Sequence, residues 1–341
     1  MINAATIKKV LVINLAFLGD IILSTPVVRA LKAAYPGAEI HLLVVPATAA
    51  VAWGNPYADK VIIYDKRGRH RNLLWLWQLI RALRAEQYDL AVAMNFALRA
   101  SLVAWASGAR YRLGYDAQHA SPFLTHVARA DRTVPRHETE NHLALLKPLG
   151  IEANDTSLAF RTDPGAVAAL ARKVQLDAAR PAVAICPYGR HPLNSWTDEG
   201  YAELINRLAP LAACYLLGGQ AEREALEKLN DKAGGKAAIL AGVLDIPELA
   251  AFLQQVALLI SVDTGPLHIA GAVGTPVLGI FGRSDFRIWG PRGPADKVIC
   301  KQPACWPCYQ RVCSHHRCMR EIGADEVIES AKAVLNARGN R

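Results

Sequence analysis

The sequence predicts an α/β protein made of two parallel-sheet, Rossmann-like domains facing across a cleft. Three observations lead there. Short apolar runs rich in Val, Ile and Leu alternate with segments of helical spacing. The alternation runs twice, with an interruption between residues 152 and 181. The length, 341 residues, suits two domains on a prior of roughly 100–200 residues each.

In chain order, "VLVINL" (10–15) reads as the first strand, and helical spacing then runs to Ala34. "EIHLLVV" (39–45) and "KVIIYD" (60–65) read as buried strands, and 72–87 as a helix. "LAVAMN" (90–95) and "RYRLGY" (110–115) follow as strands, separated by the helical "LRASLVAWAS". Asn154, Asp155, Pro164, Gly165 and Pro181 punctuate a stretch without a strong strand, which reads as the interdomain region. The pattern restarts with strands at 182–189, 213–219, 237–240, 258–263 and 276–282, each separated from the next by a helix. Continuous apolar strands between helices imply parallel sheets covered on both faces. The domains expected are 1–165 and 180–341.

The chain is 52% hydrophobic and 20% charged, which excludes a disordered protein. Its net charge is +9, and residues 1–170 hold 19 Lys+Arg against 13 Asp+Glu, so most of the excess is N-terminal. An anionic partner follows, without a choice between nucleotide, lipid phosphate and nucleic acid. Lys8 and Lys9 precede an apolar run resembling a short secretory segment, but Asp20 interrupts it. No stretch reaches the roughly 18 apolar residues of a membrane span. A cytoplasmic protein is the expectation.

The run "LLISVDTGPLHIAGAVGTPVLGIFG" (258–282) contains Asp263-Thr264-Gly265, which is also how aspartic proteases write their active site. Such proteases are all-β and need two of these acids, whereas this chain has a single one in an α/β pattern. The alternative is a strand carrying Asp263 at its end, followed by a helix whose first turn holds Gly265, Pro266 and His268. Pro suits a first helical position, and Thr264 or Asp263 can cap. The free N–H groups and positive end of that helix favour an anion.

After the first strand, "AFLGD" delivers Gly19 and Asp20 to the carboxyl edge of the sheet, where doubly wound folds bind ligands. No G-x-G-x-x-G dinucleotide fingerprint is present. Asp20 serves either as a helix cap or as a general base, and the residues alone leave both open.

"DKRGRHRNLLWLWQLIRALR" (65–84) places Lys66, Arg67, Arg69 and Arg71 before a helix with Trp75 and Trp77. It reads first as a basic loop before a sheet-covering helix, and second as a membrane-interface segment facing lipid phosphates.

Cys305, Cys308, Cys313 and Cys318 fall within a short loop, with His315 and His316 between the last two. Four thiolates suit a structural Zn or Fe ion, reduced free thiols come next, and a cytoplasmic setting disfavours disulfides.

Asn14–Leu43, with "LGDIILSTPVVRALKAAYPGAEI", and Ser261–Gly282, with "DTGPLHIAGAVGTPVLGIFG", resemble the two signature regions of glycosyltransferase family 9, the ADP-heptose:lipopolysaccharide heptosyltransferases. Residues 86–115 and 137–150 ("HETENHLALLKPLG") resemble it too. The resemblance implies a GT-B architecture, with an acceptor-binding N-terminal domain and a donor-binding C-terminal domain. It implies inverting transfer of heptose from ADP-heptose to the lipopolysaccharide inner core, with no cofactor required for transfer. Carried over by position, Asp20 would be the catalytic base, with Gly19 and Arg99 on the acceptor side. Gly189, Arg190, Asn194, Asp263, Thr264, Gly265, Pro266 and His268 would line the donor site. Many members have a Lys two residues before the Trp of "LNSWTDEG", where this chain has Asn194. That departure puts donor identity in question more than reaction type. A cytoplasmic enzyme touching the inner membrane peripherally is the matching expectation. The rivals are a GT-B enzyme using another nucleotide sugar or glycan acceptor, and a nucleic-acid-binding protein, for which no recognition motif is found.

Overall fold

The computed structural model describes residues 2–131, 133–308 and 310–339. It divides into two units, Met1–Arg161 and Thr162–Arg341, each with its own sheet.

The first unit carries β1 (Lys9–Ile13), β2 (Glu39–Val44), β3 (Lys60–Ile63), β4 (Leu90–Ala93), β5 (Tyr111–Tyr115) and β6 (His126–Ala128). Their order is β3-β2-β1-β4-β5-β6, with every pairing parallel. Val10, Leu11, Val12 and Ile13 of the central strand are all 0% exposed, as a strand covered by helices on both faces requires. At about 1.5–3 kcal/mol per buried side chain of this size, these strands contribute a large share of the core.

The second unit carries β7 (Ala182–Cys186), β8 (Ala213–Leu216), β9 (Ala237–Ile239), β10 (Leu258–Val262), β11 (Val277–Phe281) and β12 (Lys297–Cys300). Their order, β12-β11-β10-β7-β8-β9, is the same winding as in the first unit, again all parallel. In each sheet the order reverses beside the unit's first strand: between β1 and β4, and between β7 and β10. Loops leaving the carboxyl ends of those strands diverge there, and the gap between them is where such sheets take ligands.

Four differences from the sequence reading stand out. β6 and β12, the short edge strands, were not anticipated. The helix expected up to Ala34 is two, Leu18–Leu23 and Thr25–Ala34, with Pro26 in the first turn of the second. Ser24 makes the joint, its hydroxyl donating to the Ile21 carbonyl at 2.7 Å. The supposed interdomain stretch holds a helix, Pro164–Lys173, started by the Asp163 side chain accepting from the Ala166 amide.

Candidate functional site

In the first unit, the loops after β1 and β4 are tied together by two asparagines. Asn95 accepts from the Leu15 amide through Oδ1 at 2.6 Å and donates to Asn14 Oδ1 at 3.2 Å. Asn14 in turn donates to the Asp20 carbonyl at 3.3 Å. This lattice fixes the turn that presents Gly19 and Asp20 at the sheet's carboxyl edge.

Asp20 lies in the first turn of Leu18–Leu23, where Oδ2 accepts the Phe17 amide at 3.1 Å. The capping bond considered from sequence is therefore real. A carboxylate has further acceptor capacity beyond one such bond. Burial lifts the Asp20 carboxyl above the usual Asp value, partly offset by the Phe17 bond and the nearby His142. His142 Nε2 is 3.5 Å from Glu138 Oε1, and both side chains are buried. A raised pKa makes a carboxylate a stronger proton acceptor, which suits a base more than a cap.

Cations surround this edge. Lys66, just past β3, donates to the Leu15 carbonyl at 3.0 Å. Burial and then Arg99 and Arg67 hold its ammonium below the usual Lys value. Arg99 donates to the Tyr64 hydroxyl at 3.0 Å. Arg99 was named from sequence for the acceptor side, whereas Lys66 was read only as part of a basic loop, and its bond to Leu15 is what brings it to this edge.

In the second unit, the loops after β7 and β10 meet. A Cβ built on Gly189 would stand 3.3 Å from the Asp263 carbonyl oxygen, 3.4 Å from Val262 and 3.5 Å from Asn194. A side chain at Gly189 would press on the Asp263 backbone oxygen, so the glycine eases this close approach, and Asn194 comes to the same place. The Asn194 side-chain oxygen is buried with no hydrogen-bond partner among the described residues. The loop is anchored by Trp196, whose indole N–H donates to the Ile322 carbonyl at 3.1 Å and whose ring meets Tyr201 edge-on. Arg190 is exposed on the same loop.

The helix Gly265–Val273 begins at this point, with Pro266 in its first turn. The expected side-chain cap is not formed by Thr264, which is fully extended at φ −156°, ψ 168°. Nor does Asp263 turn back on the helix: it engages Ser284 by a hydrogen bond and Arg283 by charge. Burial nevertheless outweighs both and raises the Asp263 carboxyl above its usual value. His268, expected to line the donor site, is only 5% exposed.

Arg283 was missed from sequence. It follows β11, which pairs with β10 so that Ile280 lies opposite Val262, and this register carries the guanidinium to Asp263. It also depresses the His191 imidazole, after burial, so one cation bears on both loops.

The four cysteines and His315 and His316 all line one small cavity. Burial, followed by the other three thiols, pushes the Cys318 thiol up. Among the described residues, however, no three His, Cys, Asp or Glu side chains already stand close enough to hold an ion. The loop nonetheless grips the site. His316 Nε2 is 2.9 Å from the Leu193 carbonyl, and the Cys308 amide donates to the Arg283 carbonyl at 3.0 Å.

The sequence profile of Glycosyltransferase family 9 (heptosyltransferase) matches residues 76–319. Lipopolysaccharide heptosyltransferase 3 of Escherichia coli K12 is 30% identical over 292 residues, covering 80% of this chain and 82% of its own. Among solved structures, a family 9 glycosyl transferase of Veillonella parvula superposes with a TM-score of 0.87 at 24% identity, over 97% of this chain and 98% of the other. E. coli heptosyltransferase WaaC with ADP-2-deoxy-2-fluoro heptose superposes with a TM-score of 0.73 at 18% identity, over 95% and 99%.

Proposed function

The chain belongs to glycosyltransferase family 9, the heptosyltransferases, and from that premise we propose that it transfers heptose from ADP-heptose to the lipopolysaccharide inner core with inversion at the anomeric carbon. It is a glycosyltransferase with two Rossmann-like units of GT-B type. Donor and acceptor classes come from its relatives, whose names include lipopolysaccharide heptosyltransferase 3 and a heptosyltransferase solved with an ADP-heptose analogue.

The tasks divide between the units. In the first, Asp20 takes the proton of the acceptor hydroxyl as its oxygen attacks the anomeric carbon. Lys66, Arg67 and Arg99 suit the anionic groups of an inner-core acceptor. In the second, the bond from the anomeric carbon to the diphosphate breaks and ADP leaves with the electron pair. Arg283 and the first-turn amides of Gly265–Val273 meet the charge that develops on the diphosphate. Asp263, buried beside them, suits sugar or ribose hydroxyls, which donate to a carboxylate where a phosphate would be repelled. The observation carrying this reading is the meeting of Gly189, Asn194, Asp263 and Arg283 at the order reversal of the second sheet.

Transfer in this reading needs no divalent cation, since fixed cations and helix amides take that task. The cysteine cavity is assigned a separate, structural Zn or Fe ion. Four thiolates are a suitable donor set, and they must draw inward to ligate.

A lipid-linked acceptor places the enzyme peripherally on the cytoplasmic face of the inner membrane. No described helix is long and apolar enough to cross one. A second reading, another nucleotide sugar, is favoured by Asn194, whose side-chain oxygen lacks a partner among the described residues and which stands where a charge is common in the family.

The test is direct. Purified protein, ADP-heptose and a heptose-deficient core lipopolysaccharide should give an acceptor heavier by one heptose, with inverted anomeric configuration by NMR. Turnover with UDP- or GDP-sugars and none with ADP-heptose would replace the donor assignment.

A further inference from the structure

The helix Leu73–Ala85 has an unusual distribution of apolar side chains. Leu83 is buried, and Leu76 and Leu79 pack on the core beside it, at the spacing of one helical face. The opposite face should be polar in a helix that only covers a sheet. Instead Leu73 is 80% exposed, Leu74 58% and Trp77 54%. Single exposed apolar residues are ordinary, but a contiguous group on one face marks an interaction surface.

The charge around this group has one sign. Residues 66–85 contain Lys66, Arg67, Arg69, Arg71, Arg81 and Arg84 and no acid. The acids at either end are engaged elsewhere. Asp65 accepts the Gly68 and Arg69 amides at 2.8 and 2.9 Å, and Glu86 pairs with Lys9 and Lys60. Among the described residues no carboxylate pairs with any of the six cations. Two guanidinium groups lie over the indoles, Arg69 at 3.7 Å from the Trp75 centroid and Arg81 at 5.4 Å from that of Trp77. Apolar side chains ringed by cations and indoles match the interface of an anionic bilayer, with rings at headgroup level and cations at the phosphates.

We propose that this helix face and the basic loop before it dock on an anionic lipid surface. The loop is shared with the candidate site, because Lys66 reaches the Leu15 carbonyl beside the Asp20 turn. Docking there holds the acceptor-activating edge of the first unit at headgroup level. The inference extends the reading of a lipid-linked acceptor, but its chemistry needs only anionic lipid.

Flotation with vesicles lacking any glycan acceptor therefore tests it independently of the transfer reaction. The intact chain should float with equal parts phosphatidylethanolamine and phosphatidylglycerol, and far less with phosphatidylcholine alone. Leu73→Gln with Trp77→Gln should abolish flotation without lowering the melting temperature, since both side chains are solvent-exposed. Arg69→Glu should weaken binding by more than the roughly fivefold expected for loss of one cation, and added salt should weaken it further. Tryptophan emission should shift to the blue on vesicle addition in wild type and not in the double variant. Equal flotation with neutral and anionic vesicles, or flotation untouched by the double variant, would overturn the proposal. So would a dimer in sedimentation that the double variant splits, since the face would then be an interface between copies.

Discussion

The backbone amide of Phe17 donates to Asp20 Oδ2 at 3.1 Å, so the proposed base also closes the first turn of its own helix. The two roles separate by substitution. Asn keeps an oxygen that can accept the Phe17 amide and removes the proton acceptor. Asp20→Asn should lower kcat by roughly 10²–10⁴-fold while leaving ADP affinity and the melting temperature near wild type. Asp20→Ala should lose the same activity and, in addition, about 1 kcal/mol of stability with the hydrogen bond. A folded Asp20→Asn enzyme turning over at the wild-type rate removes the assignment.

The pH dependence follows from burial. A carboxyl with a raised folded-state pKa binds its proton more tightly folded than unfolded, so its contribution to stability falls as pH rises from the ordinary Asp value through the raised one. Activity runs the other way, because only the ionised form can accept a proton. The kcat/KM profile should therefore fall on its acid side with an apparent pKa above the ordinary Asp value of about 3.9. That limb should be missing from the residual rate of Asp20→Asn. An acid limb at or below the ordinary value, or one that survives the substitution, would assign the proton to another group.

The parts of the fold that could be read from sequence were those whose signal is local. Val10–Ile13 is apolar at every position, and Leu258–Val262 at all but Ser261, because both faces of a central parallel strand are covered. His126–Ala128 and Lys297–Cys300 are short edge strands, and their half-exposed, mixed residues form a strand only because β5 and β11 offer a partner. Asp20 and Asp263 were visible because each follows a strand and opens a helix. Arg283 was not, since its meaning comes from the pairing of β11 with β10. The Asn14–Asn95 bond joins residues far apart in sequence, and nothing local foretells it. The outward Leu73, Leu74 and Trp77 were legible as an apolar helix, but which face the sheet covers is a tertiary fact.

The donor site predicts a split between nucleotide and sugar. Arg283 is the cation whose charge bears on Asp263, so Arg283→Ala should weaken ADP binding by roughly tenfold or more, the cost of a charge-assisted bond. Asp263→Ala should raise KM for the nucleotide sugar more than it weakens ADP. Gly189→Val should weaken both, because its side chain would enter the space held by Asp263, Val262 and Asn194. Calorimetry with ADP and steady-state kinetics with the sugar distinguish these effects. Unchanged ADP affinity in both Arg283→Ala and Gly189→Val would put the nucleotide elsewhere.

The cysteine loop reaches further than its own cavity. Trp306 donates to the Ser284 carbonyl at 3.3 Å, Cys308 holds the Arg283 backbone, and His316 holds that of Leu193, next to Asn194. The loop thus braces both the loop after β7 and the one after β11, and its shape should be felt as donor affinity. If the four thiols ligate, purified protein should contain about one Zn or Fe per chain. Cys308→Ser should lose that ion and lower the melting temperature, because ion binding to a site absent from the unfolded chain adds to folding. It should also raise the donor KM more than it lowers kcat, since the loop supplies neither the base nor a diphosphate donor. Added Mg²⁺ should not raise turnover after EDTA, whereas rescue by Mg²⁺ would show a catalytic cation. Protein prepared without chelator that contains no metal, with all four thiols titrating freely, would leave reduced cysteines lining the cavity. The brace would then rest on the hydrogen bonds to Leu193, Arg283 and Ser284, and Cys308→Ser should leave donor KM unchanged.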